Sequence, residues 1–544
     1  MRATKMTKSI SIARLLLAPM VALLLAATAH GATPGIKGPT FKLVAQDAFL
    51  NQPDGAAVYS WGYGCDGAPL GGFAPAAITN ATCPTMQIPG PTLIVTEGDT
   101  VVVTLRNGLP TAAGNTSILF PGFQLQPFGA NNGVPGLLTQ EAAPGGTVTY
   151  TFTASTPGTH AYYSGTQGDL QIEMGLYGAI VVLPSTATTN ANFPSNCTAN
   201  TSTPAGGLPF AGANGVAETT WGEKDFRLAS AAYDHVKTCY DREYLFQWSE
   251  MDPNIHRQAL AQVTARAGCV LSDPTCTLEI ATEPYHPSYF LINGRSMPDL
   301  MDGNYAPEYP HQPYNGNPHM HPGEQVLIRT IGQGRWQHPF HEHGNHVRIL
   351  ARDGNLILSA TDPNSLAGLL MFNTDTTPGQ AFDGIFYWTG RGLNWDPYAH
   401  NPASSDPLAK LPCTPDANGY NTGAPTAINY YEWCQDHNKP LEVAPLGDVA
   451  GGGPATLPNP NIFTNGAWYG GTPYLGPNAT TRSAGPTDNL QPSNTQANPA
   501  NERGFAFMWH SHNEREITTN NVFPGGMLMM LLVDSREFVI DESN

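Results

Sequence analysis

The sequence predicts an all-β protein built from β-sandwich domains, and three features of its composition lead to this prediction. Charged residues make up only 12% of the chain, about half of the roughly 25% found in typical globular proteins. The 544 residues include 57 glycines and 49 prolines, whereas the hydrophobic fraction is an ordinary 41%. Coiled coils and helical repeats need charged helix formers and few such breakers, and disordered chains combine low hydrophobicity with high charge. The composition therefore favours short strands joined by many turns.

Residues 1–31 are predicted to be a signal peptide. Four basic residues precede the apolar run 15–25, and small residues follow it at 26–32. This order is typical of a secretory signal, and the run is too short to span a membrane. An uncleaved N-terminal anchor is the alternative. We expect an exported protein that is periplasmic, at the cell surface or extracellular, with no membrane-spanning segment later in the chain.

The eight cysteines favour disulfide bonds, because their number is even and export is predicted. Close spacing favours the pairs Cys65–Cys83, Cys269–Cys276 and Cys413–Cys434, which leaves Cys197–Cys239. This is a preference among the about 105 pairings that eight cysteines allow. The formal net charge of −18 argues against nucleic acid as a partner, because phosphate backbones are themselves negative.

The first sandwich domain is predicted over residues 32–185. Two runs of β-branched residues within 91–106 flank Glu97-Gly98-Asp99, which is a turn signal. Further strand-like runs cover 146–152 and 178–182.

The second sandwich domain is predicted over residues 285–544, with strand-like runs at 324–331, 347–350, 382–388 and 526–533. Residues 186–284 are predicted to form a connector that is helical around 229–236 and 256–266, and a third, degenerate sandwich is the alternative there. Residues 396–503 are rich in Pro, Gly, Asn and Thr and are predicted to be a long loop insertion. A loop of that length is either functional or partly disordered.

The two domains resemble two copies of one plan, and the comparison isolates a set of histidines. The second copy carries His341, His343, His510 and His512, where the first copy has Leu119, Pro121, Tyr163 and Gly165. Because side chains alternate along a strand, each His-X-His pair shares one face. Two such pairs on neighbouring strands can converge on one metal ion, and neutral imidazole suits copper, zinc, iron and nickel.

Several other residues near these pairs are weaker candidates. His338 precedes His341 by three positions and faces the opposite side if the strand is regular. Glu342, Glu514 and Glu516 lie close enough in sequence to complete a ligand set. His319-Met320-His321 lies in a turn-rich region and His160 lies in the first copy, so we favour neither as a ligand site. The alternative is an inherited cluster that no longer binds metal.

These motifs carry a family resemblance. The segment His338-Pro-Phe-His-Glu-His-Gly344 resembles the motif His-Pro-x-His-x-His-Gly of multicopper oxidases, the laccase-like proteins. His510-Ser511-His512 with a downstream Gly-Met resembles their closing motif, and the stretch from Gly90 to Val182 is similar to their N-terminal domain. The resemblance implies tandem cupredoxin-like Greek-key β-sandwiches. It leaves the 396–503 insertion unexplained.

The resemblance also implies that part of the family's copper chemistry is missing. The family holds a type 1 copper with one Cys and two His, and a trinuclear cluster with eight His from two domains. Here His338 matches a type 1 ligand, but Ser511 stands at the Cys position and Glu516 at the second His position. Four cluster positions match the histidines of the second domain, and the first domain offers no histidine at the other four.

We therefore predict an exported copper-binding protein with one copper-type ion held by the motif histidines His338, His341, His343, His510 and His512. If active, it is an oxidoreductase for an unknown small molecule or metal ion, acting alone, as a homo-oligomer or in a cell-surface assembly. Two alternatives remain open. One is a metal-free structural or binding protein at the cell surface, and the other is a working oxidase with unusual ligands.

Overall fold

The computed structural model describes residues 32–130, 132–185, 224–235, 237–389, 413–423, 433–435, 471–475, 504–534 and 540–542. The predicted all-β class is confirmed, because the described residues form mostly strands. Their α-helices are α1 (Gly168–Gln171) and α2 (Pro253–Ala265). The predicted signal peptide, Cys197 and most of the predicted insertion lie outside the described residues. No helix of the described part is long and apolar enough to cross a membrane.

The first sandwich packs a five-stranded sheet, in the order β10-β11-β5-β1-β4, against a four-stranded sheet, in the order β3-β2-β6-β9. A short pair, β7-β8, lies beside them. The strands are β1 (Gly35–Lys37), β2 (Thr40–Asn51), β3 (Ala57–Cys65), β4 (Phe73–Ala74), β5 (Leu93–Thr96), β6 (Thr100–Asn107), β7 (Val134–Pro135), β8 (Gln140–Glu141), β9 (Thr147–Thr153), β10 (Gly158–Tyr163) and β11 (Tyr177–Leu183).

The sequence pattern explains the first sandwich directly. Strands β6 and β9 alternate buried and partly exposed residues, as a sheet with one face on a core requires. The predicted turn between β5 and β6 is confirmed: Gly98 has φ of 89°, and the Asp99 carboxylate accepts a hydrogen bond from the Thr96 amide at 2.8 Å. Only glycine adopts that φ without strain, so this short turn fixes the register of the two strands.

The second sandwich contains a seven-stranded sheet (β13-β12-β15-β21-β17-β18, with β19 beside β17) and a six-stranded sheet (β14-β24-β23-β16-β20, with β22 beside β23). The strands are β12 (Arg242–Met251), β13 (Tyr289–Ile292), β14 (His319–Met320), β15 (Gln325–Gly332), β16 (His338–Glu342), β17 (Val347–Arg352), β18 (Asn355–Leu356), β19 (Leu370–Met371), β20 (Asn373–Thr376), β21 (Ala381–Tyr387), β22 (Gly471–Leu475), β23 (Gly504–Ser511) and β24 (Leu528–Asp534).

Two of these strands lie where the sequence suggested no strand. Strand β12 falls within the predicted connector but pairs with β13 and β15, so it belongs to the second sandwich. Strand β22 falls within the predicted insertion and pairs antiparallel with β23. The composition of the insertion hid this short strand, because its prolines and glycines dominate any local average.

Of the two helices predicted in the connector, one is present and the other is not. Helix α2 covers nearly the predicted stretch, with Asp252 accepting a hydrogen bond from the Asn254 amide at the N-cap and Pro253 following it. The prediction of a helix around 229–236 was wrong. Ala231 instead forms a β-bridge to Cys239, and the Thr238 hydroxyl donates to the Tyr233 and His235 carbonyls. Tertiary contacts outweigh the helix propensity of the alanines there.

Three predicted disulfides are confirmed. Cys65 is bonded to Cys83, Cys269 to Cys276 and Cys413 to Cys434. The first lies at the end of β3 in the first sandwich, and the second closes the loop after α2. The pairing of Cys239 with Cys197 stays a prediction, because Cys197 lies outside the described residues.

Candidate metal centre

Three predicted histidines converge where strands β16 and β23 run side by side. His341 lies directly opposite His510 in the antiparallel register, so their side chains leave the sheet on the same face. His343 follows two positions after His341 and returns to that face. The His343 amide donates to the Met508 carbonyl, and Trp509 Nε1 donates to the His343 carbonyl, which holds His343 beside β23.

The geometry of the group suits a metal ion. Ring nitrogens of His341, His343 and His510 all lie within 4.8 Å of one another. The ring centroids are 4.9 Å apart for His341 and His343, 5.3 Å for His341 and His510, and 5.1 Å for His343 and His510. His341 and His510 are buried, whereas His343 is half-buried. Three imidazoles on one face can ligate one metal ion and leave a further coordination position open.

The electrostatics keep the imidazoles of His341 and His510 neutral. Burial lowers the pKa of His341, and the neighbouring His343, His510 and His512 lower it further, to about 3. Burial also lowers the pKa of His510. A neutral imidazole is the form that ligates metals. The Nε2 atoms of His343 and His510 are 3.2 Å apart, so the two rings share a hydrogen bond.

His512 stands at the edge of the group. Its ring centroid is 4.7 Å from that of His341, but its side chain is 52% exposed and lies 3.7 Å from the Glu514 carboxylate. Its backbone is fixed, because the His512 amide donates to the Pro339 carbonyl at 2.8 Å. The structure therefore places the His512 ring beside those of His341 and His510 while leaving it in solvent contact.

The structure does not bring His338 to the other four histidines. As the alternation predicted, its side chain leaves β16 on the opposite face from His341. Its Nε2 donates to Glu250 Oε2 at 2.8 Å, and its Nδ1 lies 2.9 Å from Glu516 Oε2, with all three side chains fully buried. Carboxylate oxygens thus lie within 2.9 Å of both ring nitrogens, and His338 does not face the metal group.

Burial by itself lowers the pKa of His338, but the hydrogen bonds and charges of Glu250 and Glu516 outweigh it. They raise the pKa of His338 to about 9. His338 is therefore an imidazolium at neutral pH, clamped between two carboxylates. Ser511 extends this arrangement, since its hydroxyl donates to Glu516 Oε2 at 2.5 Å.

We expect the free energy of unfolding to fall at alkaline pH, as the His338 imidazolium loses its proton. Because its pKa in the folded state lies above the unfolded value of about 6.5, its contribution is fully present below about pH 6.5 and is lost as the pH rises through about 9. The difference between the folded and unfolded pKa values corresponds to about 3 kcal/mol of stability. Denaturant unfolding of the wild type and of His338→Gln at about pH 6.5 and 10 measures it. Equal losses of stability in the two proteins would show that the imidazolium contributes nothing.

The remaining candidates have other roles in the described part of the chain. Glu342 is buried on the face opposite His341, and burial raises the pKa of its carboxyl group well above the usual range. Glu514 is exposed, and Glu516 pairs with His338. His319 is buried with Nδ1 2.6 Å from the Asp534 carboxylate. His160 packs against Phe123 in the first sandwich.

The first sandwich contains the same strand pairing without histidines. Leu119 pairs with Tyr163 across an antiparallel bridge, as His341 pairs with His510. The Leu119 side chain packs against Gly165, since a Cβ atom added to Gly165 would lie 2.8 Å from Leu119 Cγ. An apolar side chain therefore occupies the region that corresponds to the imidazole group of the second sandwich.

Two residues at these sites were missed by the sequence analysis. Glu250 lies on β12, 88 residues before His338, and nothing in its local pattern distinguishes it. Phe372 lies with its ring 5.7 Å from the His341 ring and is 44% exposed. No sequence motif marks either contact, because both arise from sheet packing.

Comparison with known proteins agrees with the family resemblance over part of the chain. Residues 76–187 match the model of a family described as "Multicopper oxidase". "Multicopper oxidase MCE" of Talaromyces pinophilus is 39% identical over 98 residues, which are 18% of this chain and 15% of that protein. "Laccase 1" of Metarhizium acridum is 37% identical over 119 residues, which are 22% of this chain and 18% of that protein. The matched segment thus spans less than a fifth of these relatives.

Solved structures match over more of the chain but at lower identity. "Multicopper Oxidase mgLAC" is 15% identical with a TM-score of 0.43, and the match covers 91% of this chain and 86% of that one. The "Blue Copper Oxidase from Nitrosomonas europaea" is 14% identical with a TM-score of 0.42 and coverage of 91% and 85%.

Proposed function

We propose that this multicopper oxidase-like protein is an exported copper protein that holds one copper ion at His341, His343 and His510, with His512 as a fourth ligand. The observation that carries the proposal is the convergence of three ring nitrogens within 4.8 Å on adjacent strands. Imidazole nitrogen suits copper, and a bound copper ion supplies one-electron redox chemistry. The function that follows is an oxidoreductase for a small molecule or metal ion of unknown identity.

The donor set supports one ion rather than the family's full complement. The buried group of Glu250, His338 and Glu516 does not fit a type 1 copper, because both imidazole nitrogens face carboxylates. Ser511 offers a hydroxyl where a thiolate would be required, and a hydroxyl is a much harder and weaker ligand for copper. The leucine and tyrosine of the first sandwich add no imidazole.

The residues of the group have distinct tasks in this proposal. His341 lies centrally, with its ring near those of His343, His510 and His512, so it determines where the ion sits. The exposed ring of His512 leaves one side of the group open to solvent and to a reaction partner. Phe372 borders the same opening with a partly exposed aromatic ring. Export is supported by the three disulfides, which persist in oxidising compartments.

Copper content tests the proposal. After loading with Cu²⁺ and removal of excess metal, we expect about one copper per chain by element-resolved analysis, and no intense blue thiolate–copper absorption. The double variant His510→Ala/His512→Ala is expected to lose the copper, because it removes the ligands on β23. The variant His286→Ala replaces an exposed histidine outside the group and should keep it. Copper-free wild type under these conditions, or three coppers per chain, would refute the single-ion site.

A metal-free structural or binding role at the cell surface is the second candidate. The hydrogen bond between His343 and His510 favours it, because these two imidazoles satisfy each other without a metal. In that case the double variant would keep partner binding and assembly, and the wild type would hold no copper. The same metal analysis therefore separates the two candidates.

A further inference from the structure

A buried chain of polar side chains lies on the face of β16 and β23 opposite the histidine group. It runs from Glu250 through His338 and Glu516 to Ser511, and it joins four elements: β12, β16, the turn after β23, and β23 itself. The consecutive distances are 2.8 Å, 2.9 Å and 2.5 Å. We call these four residues the carboxylate clamp.

Every carboxylate oxygen of the clamp accepts a hydrogen bond or pairs with His338, and this restricts the clamp to one geometry. Glu250 Oε1 accepts from the amides of Arg335 and Trp336, both at 2.8 Å, while Oε2 accepts from His338. Glu516 Oε1 accepts from Asn513 Nδ2 at 2.8 Å, while Oε2 accepts from the Ser511 hydroxyl and lies 2.9 Å from His338 Nδ1. Buried charges that are this fully paired hold their partners in place, because any displacement leaves a charge without a partner.

The clamp is tied to the backbone that carries two of the proposed ligands. Ser511 lies between His510 and His512, and alternation sends its side chain into the clamp while theirs point to the metal group. The Ser511 hydroxyl also accepts from the Asn513 amide at 3.1 Å, which shapes the turn after His512. A shift of Ser511 would therefore move both imidazoles.

We propose that Ser511 and Glu516 are positioning residues for the metal group, and that they bring His512 into it as the fourth ligand. This inference rests on the proposed function. His510 is already within 4.8 Å of His341 and His343, whereas His512 lies outside that group with its ring beside His341. The turn that begins at Asn513 sets the direction of His512, and Glu516 anchors that turn to His338. Partners that orient ligands typically contribute 10–100-fold to metal affinity.

The test compares Ser511→Ala and Glu516→Gln with Glu279→Gln, a matched change at an exposed carboxylate outside the metal group. Ser511→Ala keeps both ion pairs of the clamp, so it is the milder change. We expect Cu²⁺ affinity, measured by competition with a chelator, to fall about 10–100-fold in the first two variants and to stay unchanged in the third. The paramagnetic resonance spectrum of the bound Cu²⁺ should show one nitrogen ligand fewer.

A purely structural role of the clamp would lower the thermal midpoint but leave affinity and spectrum as in the wild type, and that result would overturn the inference. An equal loss of copper affinity in Glu279→Gln would also overturn it. A readout without copper separates this failure from that of the proposed function. In the metal-free protein, the imidazole NMR signals of His510 and His512 should shift in Ser511→Ala and Glu516→Gln only. Unchanged signals in both folded variants overturn the positioning role, whereas a copper-free wild type overturns only the proposed function.

Discussion

Replacing Arg329 with methionine is expected to lower the free energy of unfolding by about 3–5 kcal/mol, because it leaves buried carboxylates without their cation. Arg329 lies on β15 and is fully buried. Its Nε donates to Glu243 at 2.9 Å, and its Nη1 lies 3.7 Å from Asp383 and 3.2 Å from the Thr159 hydroxyl. Methionine fills a similar volume, so the loss reflects charge rather than a cavity.

The expected loss is large because the network joins the two sandwiches. Asp383, on β21, accepts from the amide and hydroxyl of Thr159 on β10 of the first sandwich, at 3.1 and 2.6 Å. It also accepts from the Tyr233 hydroxyl at 2.5 Å. Without Arg329, Glu243 and Asp383 would either bear an unpaired buried charge or take up protons. Both outcomes weaken the contact between the domains.

Denaturant unfolding of Arg329→Met and of Arg352→Met provides the measurement. Arg352 lies on β17 of the same sheet and is exposed, with its guanidinium 4.9 Å from the Phe382 ring centroid, so its replacement should lower stability by about 1 kcal/mol at most. A second variant, Arg329→Met with Glu243→Gln, removes one of the stranded charges and should recover part of the loss. Similar stabilities for the two single variants would mean that the interdomain network adds nothing.

The sequence was sufficient for the parts of the molecule that local periodicity determines. Alternation placed His341 and His343 on one face and His338 on the other, and the structure agrees with both placements. The comparison of the two halves matched Leu119 to His341 and Tyr163 to His510, and the two strand pairs coincide in the structure. These successes depend on the two-residue period of a strand, which survives in any sheet.

The sequence was insufficient where contacts join distant strands. Glu250 and Arg329 resemble ordinary strand residues, yet each holds a buried ionic network together. His338 lies 88 residues from Glu250, and Glu243 lies 86 residues from Arg329. No local pattern encodes which strands become neighbours. The false helix around 229–236 has the same origin, since the hydrogen bond from Tyr233 to Asp383 holds that stretch against the second sandwich.

Removing the central imidazole with His341→Ala is expected to weaken Cu²⁺ binding by more than about a hundredfold, which corresponds to about 2.7 kcal/mol. The ring of His341 lies 4.7–5.3 Å from the other three rings, closer to the middle of the group than any of them. Without it, His343 and His510 keep their mutual hydrogen bond. That bond must then be broken to bind copper, and only His512 remains to replace the lost ligand.

Isothermal titration or chelator competition with Cu²⁺ measures the loss, and circular dichroism shows whether the variant is folded. His346→Ala is the matched control, because His346 also packs against Phe372, with ring centroids 5.1 Å apart, but lies outside the group. We expect this control to bind copper as the wild type does. Equal loss in both variants would place the effect in the packing around Phe372, and undiminished binding by folded His341→Ala would move the metal away from β16. The result thus decides whether the antiparallel pairing of His341 with His510 is the physical basis of the site.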